Sequence, residues 1–122
     1  MTAPHILVAE DDPDVRELVA VTLADAGMDV DVASDGREAL EKVAARRPDL
    51  VLLDLMMPVM NGREFSEALS GTTDPPRVVV MTAVDNAQQT AADIGAVGWL
   101  AKPFDIDELV TIVRRFVDGH AP

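Results

Sequence analysis

The chain has no cysteine and no tyrosine, and it carries only 10 basic residues against 22 acidic ones in its 122. Without cysteine, disulfides and thiolate metal sites are excluded, and nothing signals an oxidising compartment. A formal net charge of -12 repels phosphate backbones and anionic lipid surfaces, because binding of that kind runs on Lys and Arg. Direct nucleic-acid binding is therefore not expected, and the charge reads first as a means of solubility. No apolar stretch approaches membrane-spanning length. The opening MTAPHILVAEDDPD has too short an apolar segment, with no basic residues before it, for a signal peptide. A soluble, cytoplasmic protein without membrane insertion is expected.

What is present is regular. Five short apolar runs recur at even spacing, Ile6–Ala9, Val30–Ala33, Leu50–Leu53, Val78–Met81 and Gly98–Ala101, and they read as strands. The first, third and fourth are continuously apolar, as in a parallel sheet covered on both faces, whereas Val30-Asp31-Val32 alternates like an edge strand.

Helical period fills the gaps. Val15, Leu18, Val19, Thr22 and Leu23 share a face, opened by Asp12 as N-cap and Pro13 at the first helical position and stopped by Gly27. Ala39, Leu40, Val43 and Ala44 form a second face, with Arg46 and Arg47 suiting the negative end of the helix before Pro48. Phe65, Ala68 and Leu69 mark a third helix. A fourth, about 86–94, offers only Ala87, Thr90, Ala91 and Ile94 to the interior, so it is a natural place for motion. Ile106, Leu109, Val110, Val113 and Phe116 mark a fifth, running out at DGHAP. No linker, repeat or low-complexity segment intervenes. One doubly wound α/β domain over residues 1–122 is expected, with a five-stranded parallel sheet and five helices.

In such a sheet the ligand sits beyond the carboxyl ends of the strands. Glu10, Asp11 and Asp12 follow the first strand, Asp54 the third, Thr82 the fourth and Lys102 the fifth, while Ser34 and Asp35 after the second read as capping residues. Crowded carboxylates raise one another's pKa, and a single lysine cannot neutralise them. A hard divalent cation can, Mg²⁺ above all, with Mn²⁺ as a substitute, and a phosphoryl group would give Thr82 and Lys102 a partner. Asp54 is then a candidate nucleophile that forms an acyl phosphate. Each signal alone has a plainer reading: EDDPD as a capped helix start, Thr82 as a loop hydroxyl, Lys102 as a surface charge, Met56 and Met57 as loop packing, and His5 and His120 as solvated side chains near the termini.

The strings ILVAEDDPDVREL, PDLVLLDLMMPVMNG, VVVMTA and GWLAKPF, in this order over nearly the whole chain, resemble the receiver domain of two-component response regulators. The resemblance implies the flavodoxin-like strand order 2-1-3-4-5. It implies Asp54 as phosphoacceptor, Glu10 and Asp11 as the acidic pair holding Mg²⁺ directly or through water, and the backbone carbonyl of Met56 as a further ligand. Thr82 matches the hydroxyl that moves toward the phosphoryl group, Lys102 the ammonium that contacts it, and Trp99 the aromatic switch residue. Lys102-Pro103 matches a peptide bond that is often cis. Pro58 and Asn61-Gly62 are read as shaping the turn after Asp54.

The expected function is a phosphoacceptor switch rather than an enzyme acting on a separate substrate. Its partners would be a sensor histidine kinase or phosphotransfer protein upstream, and a protein target or fused output domain downstream. Receivers that dimerise on DNA commonly carry an Asp pair where this chain has Ala96-Val97-Gly98, which weakens that variant. A haloacid-dehalogenase-type phosphohydrolase needs an aspartate where Met56 stands. A flavodoxin-like flavin carrier needs a hydroxyl-rich loop where Glu10 to Asp12 would repel the phosphate. The remaining alternative is an interaction module of the same fold that works without phosphorylation.

Overall fold

The computed structural model describes residues 3–57, 59–83 and 85–118. Five strands alternate with five helices: β1 His5–Ala9, α1 Pro13–Asp25, β2 Asp29–Ala33, α2 Gly36–Ala45, β3 Leu50–Asp54, α3 Gly62–Ser70, β4 Arg77–Thr82, α4 Ala87–Ile94, β5 Gly98–Ala101 and α5 Ile106–Asp118. All four pairings are parallel, and the strand order is β2-β1-β3-β4-β5. The expected architecture and the edge position of β2 are thus both observed.

Two-residue alternation divides the core. Leu7, Val51, Leu53, Val78 and Val80 pack with Ala39, Phe65, Leu69 and Ala91 on the side of α2, α3 and α4. Ile6, Val8, Leu50, Leu52, Val79 and Met81 pack with Val19, Leu23, Leu109 and Val113 on the side of α1 and α5. Each continuous apolar run therefore feeds two cores, which is why alternation is missing from its sequence.

The helix starts follow local chemistry. Asp12 accepts hydrogen bonds from the amides of Asp14 and Val15 at 2.9 and 3.3 Å, with Pro13 opening α1. Asp35 accepts from Glu38 N at 2.8 Å. Asn61 and Glu64 cap α3 reciprocally at 3.0 and 3.1 Å, a capping box. Gly62 at the first position of α3 is required by close approach, since a Cβ there would lie 2.7 Å from the Leu55 Cα.

Several expectations need correction. Leu18, Ala44, Ala68 and Ile106, all assigned to inward faces, are exposed. Leu18 and Ile106 lie at the margins of stripes whose centres, Val19 with Leu23 and Leu109 with Val113, already fill the space against the sheet. Ala68 yields its place to Ser66, whose hydroxyl donates to the Ile94 carbonyl at 3.0 Å and joins α3 to α4. His5, expected to be solvated, opens β1 and is only 6% exposed. Its backbone N–H donates to Asp49 Oδ2 at 2.8 Å, and its Nδ1 has no hydrogen-bond partner among the described residues. Ladder pairing to Asp29 draws it into the sheet. Pro58 and His120 lie outside the described residues.

Candidate functional site

The strands carry the candidate residues to one rim. β3 ends on Asp54, opposite Met81, and β4 ends on Thr82, opposite Ala101. The ladder runs on one step past β1 and β5, where Glu10 N donates to Ala33 O at 3.0 Å and Lys102 N to Thr82 O at 2.9 Å. By alternation Glu10, Asp54 and Lys102 continue the side of the sheet occupied by α1 and α5, while Thr82 continues the other. The Lys102-Pro103 bond is cis, as the resemblance implied. Glu10, Asp11, Asp12, Asp54, Met56, Thr82, Ala83 and Lys102 line one open cleft of about 350 Å³.

Within the cleft Glu10 and Asp54 are buried while Asp11 is exposed, and each of the three offers a carboxylate oxygen within 4.8 Å of the others. Lys102 Nζ lies 2.6 Å from Glu10 Oε1 and 3.8 Å from Asp54 Oδ1. The lysine therefore spends its short contact on Glu10, leaving Asp54 with less compensation. Burial, followed by the hydrogen bond and charge of Glu10, pushes Asp54 from 3.8 up to about 7, against the opposing pull of the Met56 amide and Lys102. Met56 N donates to Asp54 Oδ1 at 3.1 Å, which orients the carboxylate. Thr82 is buried at the wall of the cleft.

This donor set suits a hard divalent cation. It is all oxygen and doubly anionic or more, and one of its carboxylates is held in a costly state that a cation would relieve.

One contributor was not anticipated. Arg16 on α1 donates through Nη1 to the carbonyls of Glu10 and Asp11 at 3.0 and 3.3 Å, clamping the β1–α1 loop behind the acids. An arginine five and six residues after an acidic pair, on the first turns of a helix, is the signal that could have found it. Asp12 serves as the expected cap, and its own amide donates to Glu10 Oε2 at 3.2 Å. Met56 does not pack into the loop: it is 75% exposed, between the buried Leu55 and Met57. Trp99 stands outward on β5, 41% exposed, away from the cleft, and lines a shallow depression with α5.

Residues 6–114 match the model of the response regulator receiver domain. The chain is 41% identical over 120 residues to the response regulator MprA of Mycolicibacterium vanbaalenii, covering 97% of this chain and 52% of that protein. It is 42% identical, with the same coverage, to the response regulator MprA of Mycobacterium tuberculosis. The chain thus spans about half the length of these relatives. The solved structure of the chemotaxis response regulator CheY4 of Vibrio cholerae superposes with a TM-score of 0.88 at 35% identity, covering 94% of this chain and 99% of that one.

Proposed function

The chain belongs to the response regulator receiver domain family, the phosphoacceptor switches of two-component signalling, and from that premise we propose that Asp54 is its phosphoacceptor. The observation that carries this reading is the single cleft in which Asp54, Glu10, Asp11, Thr82 and Lys102 converge from four strand ends.

An Asp54 carboxylate oxygen attacks the phosphorus of a histidine kinase phosphohistidine, of a phosphotransfer protein, or of a small donor such as acetyl phosphate. The bond from phosphorus to the donor's nitrogen or oxygen breaks, and an acyl phosphate remains on Asp54. Glu10, Asp11, Asp54 and the Met56 carbonyl would hold Mg²⁺, or Mn²⁺ in its place, which when bound neutralises charge on the transferring oxygens. Lys102 exchanges part of its contact with Glu10 for a phosphoryl oxygen, and the Thr82 hydroxyl donates to another. The domain in this way assists its own phosphorylation and its own hydrolysis, without acting on a separate substrate. Movement of Thr82 shifts the loop into α4 and changes the surface around Trp99, the readout for a protein target or a fused output domain. Turning such an element from mostly off to mostly on needs phosphorylation to favour the active state by about 5 kcal/mol. We assign the protein to the cytoplasm and residues 1–122 to a single domain that does not itself contact nucleic acid. Among the described residues no helix is long and apolar enough to cross a membrane.

The test is intact mass after incubation with acetyl phosphate, with and without Mg²⁺, beside Asp54→Ala. One added phosphoryl group that requires both Mg²⁺ and Asp54 is the expected result. An adduct retained by Asp54→Ala refutes the assignment, and no adduct from either a small donor or a kinase favours the phosphorylation-independent interaction module.

A further inference from the structure

The methionines of this chain are not equivalent. Met28, Met57 and Met81 are buried, and Met60 is partly buried against the core. Met56 alone among the described methionines is exposed, at 75%. Burial does not account for an apolar side chain here. The residue is tethered by its amide to Asp54 Oδ1 at 3.1 Å. It lines the acidic cleft and also an adjoining groove of about 510 Å³ walled by the β3–α3 loop and the starts of α3 and α4, including Arg63, Asn86 and Thr90. A small oxidant therefore reaches its sulfur from two open sides.

We infer that Met56 is a peroxide-sensitive modification site that sets how long a phosphoryl group survives on Asp54, an inference resting on the reading of Asp54 as phosphoacceptor. The step is a two-electron oxygen transfer. A sulfur lone pair attacks one oxygen of hydrogen peroxide, the O–O bond breaks, and the departing oxygen takes the protons as water. Sulfur is oxidised to the sulfoxide and peroxide is reduced. The thioether is a weak hydrogen-bond acceptor, whereas the sulfoxide is polar and its oxygen is a strong one. Beside an acyl phosphate whose loss requires water at phosphorus, that change delivers water to the reaction. Oxidation thus shortens the phosphorylated state, and reduction of the sulfoxide restores it.

The experiment treats the full chain with limiting hydrogen peroxide and maps each methionine by peptide mass. Treated and untreated samples are then phosphorylated with acetyl phosphate and Mg²⁺ and freed of donor, and loss of the adduct is followed by intact mass. Met56 should oxidise ahead of Met28, Met57, Met60 and Met81, and the treated sample should lose its phosphoryl group about threefold faster or more, a change inside the range that ordering one water is worth. Met56→Leu, compared only with its own untreated sample, should show no effect of peroxide, and methionine sulfoxide reductases should reverse the effect in the unsubstituted chain. Equal or earlier oxidation of Met28, Met57, Met60 or Met81, an unchanged lifetime with Met56 fully oxidised, or the same acceleration in Met56→Leu each overturns the inference alone. No adduct on the untreated chain, from acetyl phosphate or from a kinase, overturns the phosphoacceptor reading and the inference with it.

Discussion

Asp54, the proposed phosphoacceptor, is a carboxylate kept in a costly state, because burial and the neighbouring Glu10 both oppose its ionisation. A folded pKa raised from 3.8 to about 7 means that between those values the folded chain binds more protons than the unfolded one, so this residue makes stability fall as pH rises through that window. In EDTA, Asp54→Asn should therefore gain on the unsubstituted chain between about pH 4 and pH 8, reaching about 2 kcal/mol in urea melts once solvent screening is allowed for. A difference that stays flat with pH would show that the carboxylate is not strained. Asp31 has the opposite sign. Burial raises it, but the hydrogen bonds from Lys42 and the Val32 amide and the Lys42 charge outweigh burial and hold it below 3.8, so its contribution is present above that value and is lost as pH falls. The acids, the hydroxyl and the lysine of the cleft were legible because each directly follows an apolar run. Arg16 was not, because its contacts run to backbone carbonyls that leave no mark on residue type. Nor was the burial of His5, since a titratable side chain near a terminus looks solvated until its strand is paired.

Between Asp54 and α3 the chain makes a turn that stores strain. Val59 sits at φ 66, a left-handed conformation that costs a β-branched residue about 1–2 kcal/mol, and with 74% of its surface exposed it recovers little by packing. Val59→Gly should raise stability by about 1 kcal/mol in urea melts, and a loss of that size would mean that the side chain has a contact worth more than the strain. Element α4 is the other weak part. Among the described residues it buries only Ala87, Thr90 and Ala91 and has no side-chain N-cap, whereas α5 inserts Leu109 and Val113 into the core. Amide exchange in α4 should exceed that in the middle of α5 by at least about tenfold in the metal-free chain, and equal protection would remove the basis for placing motion there. The helix existed in the sequence pattern with its inward residues in the right places. The lost inward positions, Leu18, Ala44, Ala68 and Ile106, show the limit of a periodicity argument: it gives the direction of a face but not its width, which depends on how close the neighbouring helices lie.

At the scale of the whole molecule the excess of acid has an energetic consequence. With net charge -12 concentrated partly at one rim, a divalent cation should stabilise the folded chain by mass action, more at pH 8 than at pH 6, because Asp54 must release its proton to bind. At a Mg²⁺ concentration 100 times its dissociation constant the gain is about 2.7 kcal/mol. A thermal melt that shifts equally with Mg²⁺ and with the same ionic strength of NaCl would show screening of the overall charge instead of a site.

Fold class, number of elements, edge position of β2 and the rim residues all lay open in the order of residues, because alternating strands and helices in a parallel sheet bring every strand's carboxyl end to the same side. The pattern of ionic contacts did not. Nothing in residue order says that Lys102 lies 2.6 Å from Glu10 and 3.8 Å from Asp54, or that Met56 points outward beside the cleft while Met57 turns in. Those outcomes depend on separations of about an ångström between groups up to 92 residues apart, and only the packing of helices on the two faces of the sheet sets distances that fine.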